Sequence, residues 1–248
     1  MSGHSKWHNI RLRKGKVDAQ RGALFTKLSK EIILAARSGS PDPEANYRLK
    51  MSIEKARESN MPQENIKRAI ARGSGLENEK LIEELRYEGY GPHGVAVVVD
   101  AATDNRNRTA GELRFLFQKN GGTMGETGTV GWMFTPVGVL ELDTAGRSEE
   151  QLLESAMIDG VLDLEFDPAR SIVFTTPTSL ATVREAFVAL GLRVTEMYLG
   201  MRPKIKVAPS DAQAGNVFDF LAALDDHEDI VRIFSNVDFD AASMGAPV

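Results

Sequence analysis

VGVLELDTAGRSEEQLLESAMIDGVLDLEFDPARSIVFTTPTSLATVREAFVALGLRVTEMYL, residues 137–199, passes twice from short apolar runs to helical spacing and back. The runs at 138–142, 163–166, 171–175 and 193–198 predict strands, and the periodic segments at 148–159 and 179–190 predict helices. Taken in order they spell βαββαβ, a complete split βαβ unit of the ferredoxin-like type. The sequence on either side supplies only halves of such a unit. Strands at 95–101 and 129–134 flank a helix at 109–119, and strands at 204–207 and 230–234 flank a helix at 216–224. The two halves would complete each other, which predicts a discontinuous α+β domain at 76–135 and 204–248 with a ferredoxin-like domain inserted at 136–203.

Upstream the period is helical throughout. After a polar, basic arm reaching about Lys16, Phe25, Leu28, Ile32, Ala35 and Ala36 recur at helical spacing up to the Ser38-Gly39-Ser40 stop. A second helix is predicted over 43–59, with Asp42 as N-cap, Pro43 in its first turn and Leu49, Ile53 and Ala56 inside. A third opens at Pro62, buries Ile66, Ala69 and Ile70, and ends at Gly73 as a left-handed C-cap. The fold class is therefore α+β: a three-helix domain at 1–75 followed by two ferredoxin-like α+β domains, the last inserted into the middle one.

With 248 residues, 42% hydrophobic and 26% charged, the chain reads as a soluble protein of two or three small domains. The absence of cysteine excludes disulfides, thiolate metal sites and cysteine nucleophiles. No run approaches the roughly 20 apolar residues of a membrane span, and the basic N-terminus lacks the apolar core of a secretory signal, so a cytoplasmic protein without membrane partners fits best. The net charge of −5 conceals a split: residues 1–73 hold 16 Lys+Arg against 7 Asp+Glu, while the rest holds 14 against 28. One part seeks polyanions and the other does not, unless the cations form a solvated helical face.

On a wheel of the first helix, Lys27, Lys30 and Arg37 lie opposite the apolar set. Lys16 would extend that stripe, and Arg11, Arg13 and Lys14 lie just before it. A cationic stripe continued by an arm suits a phosphate backbone. Leu34 falls within the stripe, either exposed or reaching a partner. Trp7, among His4, Lys6, His8 and Arg11, either stacks on a base or docks the arm. His4 and His8 have the spacing of a metal pair but no third ligand nearby, so no metal is assigned. In TDNRNRT, residues 103–109, Thr109 and Glu112 match a capping box, placing Arg106 and Arg108 before a helix N-terminus. There they would hold an anion or RNA, or else Arg106 pairs with Asp104 or Glu112. The glycine-rich runs YEGYGPHG (87–94) and GGTMGETG (121–128) lack the context of a nucleotide loop and read as turns. No convergent acid, base or metal groups suggest an enzyme, a cofactor or a small-molecule substrate.

The segments MSGHSKWHNI (1–10), DAQRGALFTKL (18–28), NMPQENI (60–66), YEGYGP (87–92) and TDNRNRT (103–109) resemble the YebC family along the whole chain. Members are described as probable transcriptional regulators that bind DNA. Mitochondrial relatives are translational activators, and bacterial members are linked to ribosomes stalled on proline-rich sequences. The resemblance implies three domains and no catalytic residues. Tyr47 stands where many members have proline, and His93 where they have glycine. The function expected is a non-enzymatic, nucleic-acid-binding regulator of gene expression, conventionally a DNA-binding transcriptional regulator. Its rivals are a translation factor on ribosomal RNA and a protein-interaction scaffold. A basic arm and stripe without a recognition helix suit RNA and ribosomes better than an operator.

Overall fold

The computed structural model describes residues 21–75, 81–144 and 146–239. Phe134–Lys204 forms one compact unit, and the described residues up to Met133 and from Ile205 form the other. The architecture is α+β, with helices first and sheets after, as the sequence predicts. Among the described residues no helix is long and apolar enough to cross a membrane.

The larger unit opens with three helices, α1 (Arg21–Arg37), α2 (Tyr47–Glu58) and α3 (Gln63–Gly73). Leu28, Ile32, Leu49, Ile53, Ala56, Ile66 and Ala69 meet in one buried cluster, the inner faces read from the sequence. The second helix begins later than Pro43, because Asn46 rather than Asp42 is its cap. The Asn46 carboxamide accepts from Leu49 N at 3.1 Å and donates to Ala35 O at 2.8 Å and Ser40 O at 2.7 Å. Asp42 instead closes a separate turn by accepting from Glu44 N at 3.0 Å. Tyr47 thus takes the first helical position, where a proline would also fit because that N–H has no helical acceptor. Gly73 is not the left-handed cap either. It is helical, and a Cβ there would meet Ile33 O at 2.5 Å, so glycine serves the close approach of α3 to α1; the left-handed residue is Gly75, at φ +73°.

The rest of this unit is an antiparallel sheet in the order β3-β1-β2-β8, from β1 (Glu83–Tyr90), β2 (Ala96–Thr103), β3 (Thr123–Met124) and β8 (Ile230–Ser235). Helices α4 (Arg106–Lys119) and α7 (Asp211–Asp225) set Leu113, Phe117, Val217, Phe220 and Leu224 against Val97, Val99, Ile230 and Ile233. Strand β1 is absent from the sequence reading, since EELRYEGY offers little apolar alternation. Two expected strands are corrected in turn. Residues 129–134 contain a 3₁₀ turn at Gly131–Met133, and 204–207 contributes one parallel bridge, Val207 to Val237.

In the smaller unit, β4 (Phe134–Asp143), α5 (Glu149–Ser155), β5 (Val161–Glu165), β6 (Arg170–Thr175), α6 (Leu180–Ala189) and β7 (Val194–Pro203) realise the βαββαβ order. Their antiparallel sheet runs β5-β6-β4-β7, the ferredoxin-like arrangement. Strand β4 starts before the expected Gly138 and runs through Pro136. At that proline β4 pairs with β7 alone, since β6 joins only from Gly138 onward.

Candidate nucleic-acid interface

The cations of α1 face inward. Lys27 donates to Asp225 O and lies 3.4 Å from the Asp225 carboxylate. Lys30 donates to Glu228 O at 3.0 Å and to the Asp229 carboxylate, and Arg37 donates to Ile82 O at 2.6 Å. The stripe opposite the apolar face of α1 therefore docks on residues 225–229 and the start of β1. Leu34, which interrupted that stripe, is 4% exposed, so it is neither a surface leucine nor a partner contact. Lys6, Trp7, Arg11, Arg13, Lys14 and Lys16 lie outside the described residues.

Asp229 is the centre of this junction. It is fully buried and accepts from Lys30, from Arg108 Nη2 at 2.9 Å and from the Thr109 hydroxyl at 2.6 Å. Burial alone would raise its pKa, but the bonds from Lys30 and Thr109 and the charges of Lys30 and Arg108 prevail and hold it below the ordinary value. Burial likewise draws the Arg108 guanidinium down, while Asp229, Glu112 and Asp104 outweigh it and leave it raised. The Asp229 N–H donates to His227 Nδ1 at 3.1 Å, which leaves Nε2 protonated to face Glu112 Oε2 at 3.0 Å. Glu112, His227 and Asp229 offer ligand atoms within 4.8 Å of one another. A metal there would compete with the two cations and the hydroxyl already on Asp229.

The expected capping box is corrected by the same contacts. Asn105 caps α4, accepting from Arg108 N at 3.2 Å, so Arg106 and Arg108 belong to the first turn rather than precede it. Thr109 is buried and its hydroxyl serves Asp229, while Glu112 serves His227. The residue that pairs with Asp104 is Arg108, at 3.7 Å, not Arg106. Arg106 is exposed beside Tyr87, whose hydroxyl donates to Arg106 O at 3.4 Å.

The second glycine-rich run does bind an anion, but the anion is the protein's own. Glu88, 5% exposed, accepts from Gly128 N at 3.0 Å, Val130 N at 2.8 Å and Gly131 N at 2.6 Å. Burial opposes this charge, and the backbone bonds with Arg86 nearby overcome it, so the Glu88 pKa is lowered. In the first run, His93 sits at φ +59°, a left-handed position that glycine fills without strain.

Besides Arg106, further exposed cations lie where the sequence reading placed no emphasis. Arg57 lies in the last turn of α2, and Lys67 and Arg68 lie on the outer face of α3; none of them makes an ion pair within the described residues. The turn between them is rigidly made, with Asn60 at φ +59°, Met61 N donating to Ala56 O at 2.9 Å, and Met61 buried. The signal that could have found them is the lack of carboxylates at helical spacing from Lys67 and Arg68 on the solvent face of α3, apart from Glu64.

These features define a class: an α+β protein whose basic helices are docked by buried charge on an antiparallel sheet. The chain belongs to the TACO1/YebC family. The model of the TACO1/YebC N-terminal domain matches residues 5–76, and that of the second and third domain matches 82–237. A "probable transcriptional regulatory protein" of Moorella thermoacetica is 47% identical over 247 residues, covering 98% of each chain. One of the same description from Caldanaerobacter subterraneus subsp. tengcongensis is 44% identical over 243 residues, covering 97% of this chain and 99% of its own. The crystal structure of a conserved hypothetical protein from Aquifex aeolicus superposes with a TM-score of 0.82 at 42% identity, covering 91% of this chain and 93% of that one.

Proposed function

We propose that the chain is a non-enzymatic, cytoplasmic regulator of gene expression that binds nucleic acid, reading backbone and shape rather than base sequence. The segregation of charge carries this reading: 16 Lys+Arg against 7 Asp+Glu within residues 1–73 of a chain whose net charge is −5. The relatives described as probable transcriptional regulatory proteins support a regulatory role. Lys27, Lys30 and Arg108 hold the fold together in this reading, while Arg57, Lys67, Arg68, Arg106 and the cations of residues 1–16 meet phosphates. Replacing Arg57, Lys67 and Arg68 with glutamine is expected to weaken binding and to flatten its logarithmic salt dependence by about 0.7–0.9 per lost phosphate contact. An unchanged slope in fluorescence titrations at several salt concentrations would contradict it.

One observation favours a second reading. Helices α2 and α3 are joined by residues 59–62 alone, a connection as short as in helix-turn-helix pairs, and α3 presents Glu64, Lys67 and Arg68 outward. On that reading α3 enters a DNA groove and the protein prefers one operator sequence.

A further inference from the structure

Helix α4 turns two unlike faces to its surroundings. Leu113 and Phe117 are fully buried against the sheet and α7. On a second side of the helix, Asn107, Gly111, Arg114 and Gln118 follow one another at i, i+4, i+7 and i+11, so they form a single exposed stripe. Phe115 stands beside the stripe at 61% exposure. The Lys119 ammonium lies 6.0 Å from its ring centroid, and Arg114 makes no ion pair among the described residues. The one carboxylate of this helix, Glu112, is turned toward His227.

Gly111 is the least expected residue of the stripe. It lies inside a regular helix, its φ is not positive, and nothing stands within 4 Å of where a Cβ would be. Glycine at such a position costs helix stability relative to alanine, and neither packing nor backbone conformation here calls for it. What a missing side chain does provide is room for something outside the chain to reach the helix backbone.

We infer that this face of α4 is an RNA contact: an unpaired base stacks on Phe115, Arg114 and Lys119 hold the flanking phosphates, and Gly111 lets the ribose–phosphate chain lie close to the helix. An exposed ring flanked by cations is complementary to a base and its phosphates. The occupant is RNA because loops and bulges of folded RNA present unstacked bases, whereas the bases of duplex DNA are stacked within the helix. Asn107 and Gln118, each with a carboxamide donor and acceptor, stand at the two ends of the stripe to meet base edges or ribose hydroxyls. The inference deepens the nucleic-acid reading above and rests on it, on a different helix from those that carry Arg57, Lys67 and Arg68.

The test uses the full chain, a fluorescent RNA hairpin with a loop of unpaired uridines, and a blunt RNA duplex of the same length. Phe115→Ala is expected to weaken hairpin binding by roughly tenfold or more and to leave duplex binding unchanged. Phe115→Trp is expected to restore it. Gly111→Leu, in which a better helix former replaces glycine, is expected to raise the melting temperature and still lose hairpin binding. Wild-type binding to the hairpin that survives both Phe115→Ala and Gly111→Leu would overturn the α4 contact and leave the broader reading standing. Wild-type protein that binds neither RNA would overturn both. If, instead, sedimentation shows self-association that Phe115→Ala abolishes while hairpin binding persists, the face is a protein contact and the inference is wrong.

Discussion

Asp229 shows how much one buried carboxylate can organise. With Lys30, Arg108 and Thr109 all directed at it, removing its charge leaves two cations facing each other across an uncharged amide. Asp229→Asn is expected to destabilise the protein by about 3–5 kcal/mol, as breaking a buried ion pair does, and denaturant titration measures it. The pH dependence follows from the lowered pKa. The native state binds this proton less readily than the unfolded state, so the stabilisation is complete above the unfolded carboxylate value of about 4 and declines as pH falls toward the lower folded value. The acid limb of the stability profile is expected to be shallower in Asp229→Asn than in wild type; an identical limb would assign the acid transition to other groups. At His93, exposed at φ +59°, substitution by glycine is expected to relieve left-handed strain and raise stability by up to about 1 kcal/mol. A fall in melting temperature would show that the imidazole makes a compensating contact.

At the scale of elements, the sequence disclosed each helix of the described chain and the strands of the βαββαβ unit, because their apolar residues repeat with the period of the structure they form. It did not disclose β1, whose Glu83, Glu84, Arg86 and Glu88 mask the alternation. The inward direction of Glu88 depends on amides about forty residues away, beyond any local pattern. The same limit governed the site. A wheel of α1 shows Lys27, Lys30 and Arg37 gathered on one side, but whether that side meets solvent or residues 225–229 is decided by contacts about two hundred residues apart. Leu34 on that side was the sequence's own sign that the stripe is covered. Lys30→Gln is therefore expected to lower stability while leaving the salt slope of nucleic-acid binding as in wild type, whereas Lys67→Gln does the reverse. Paired melting and titration curves for these two variants distinguish a docking cation from a binding one.

Over the whole molecule, a basic helical segment is carried by a chain that is acidic overall, at −5. If the chain binds polyanions as proposed, long-range repulsion from the acidic remainder opposes indiscriminate wrapping, and binding would depend on where the exposed cations lie and on the shape they meet. On the proposed reading this arrangement suits folded RNA better than a DNA operator, since it sets exposed cations and an exposed ring beside a candidate recognition helix, α3, of 11 residues. An equilibrium competition at physiological salt tests that claim most directly, with labelled full-length protein, random duplex DNA, a candidate promoter duplex and intact ribosomes, repeated after removal of residues 1–16. Little discrimination between the two duplexes is expected, with displacement of both by ribosomes and weaker binding throughout once the arm is removed. A promoter preference of about a thousandfold or more, typical of operator readers, that survives excess ribosomes would contradict it.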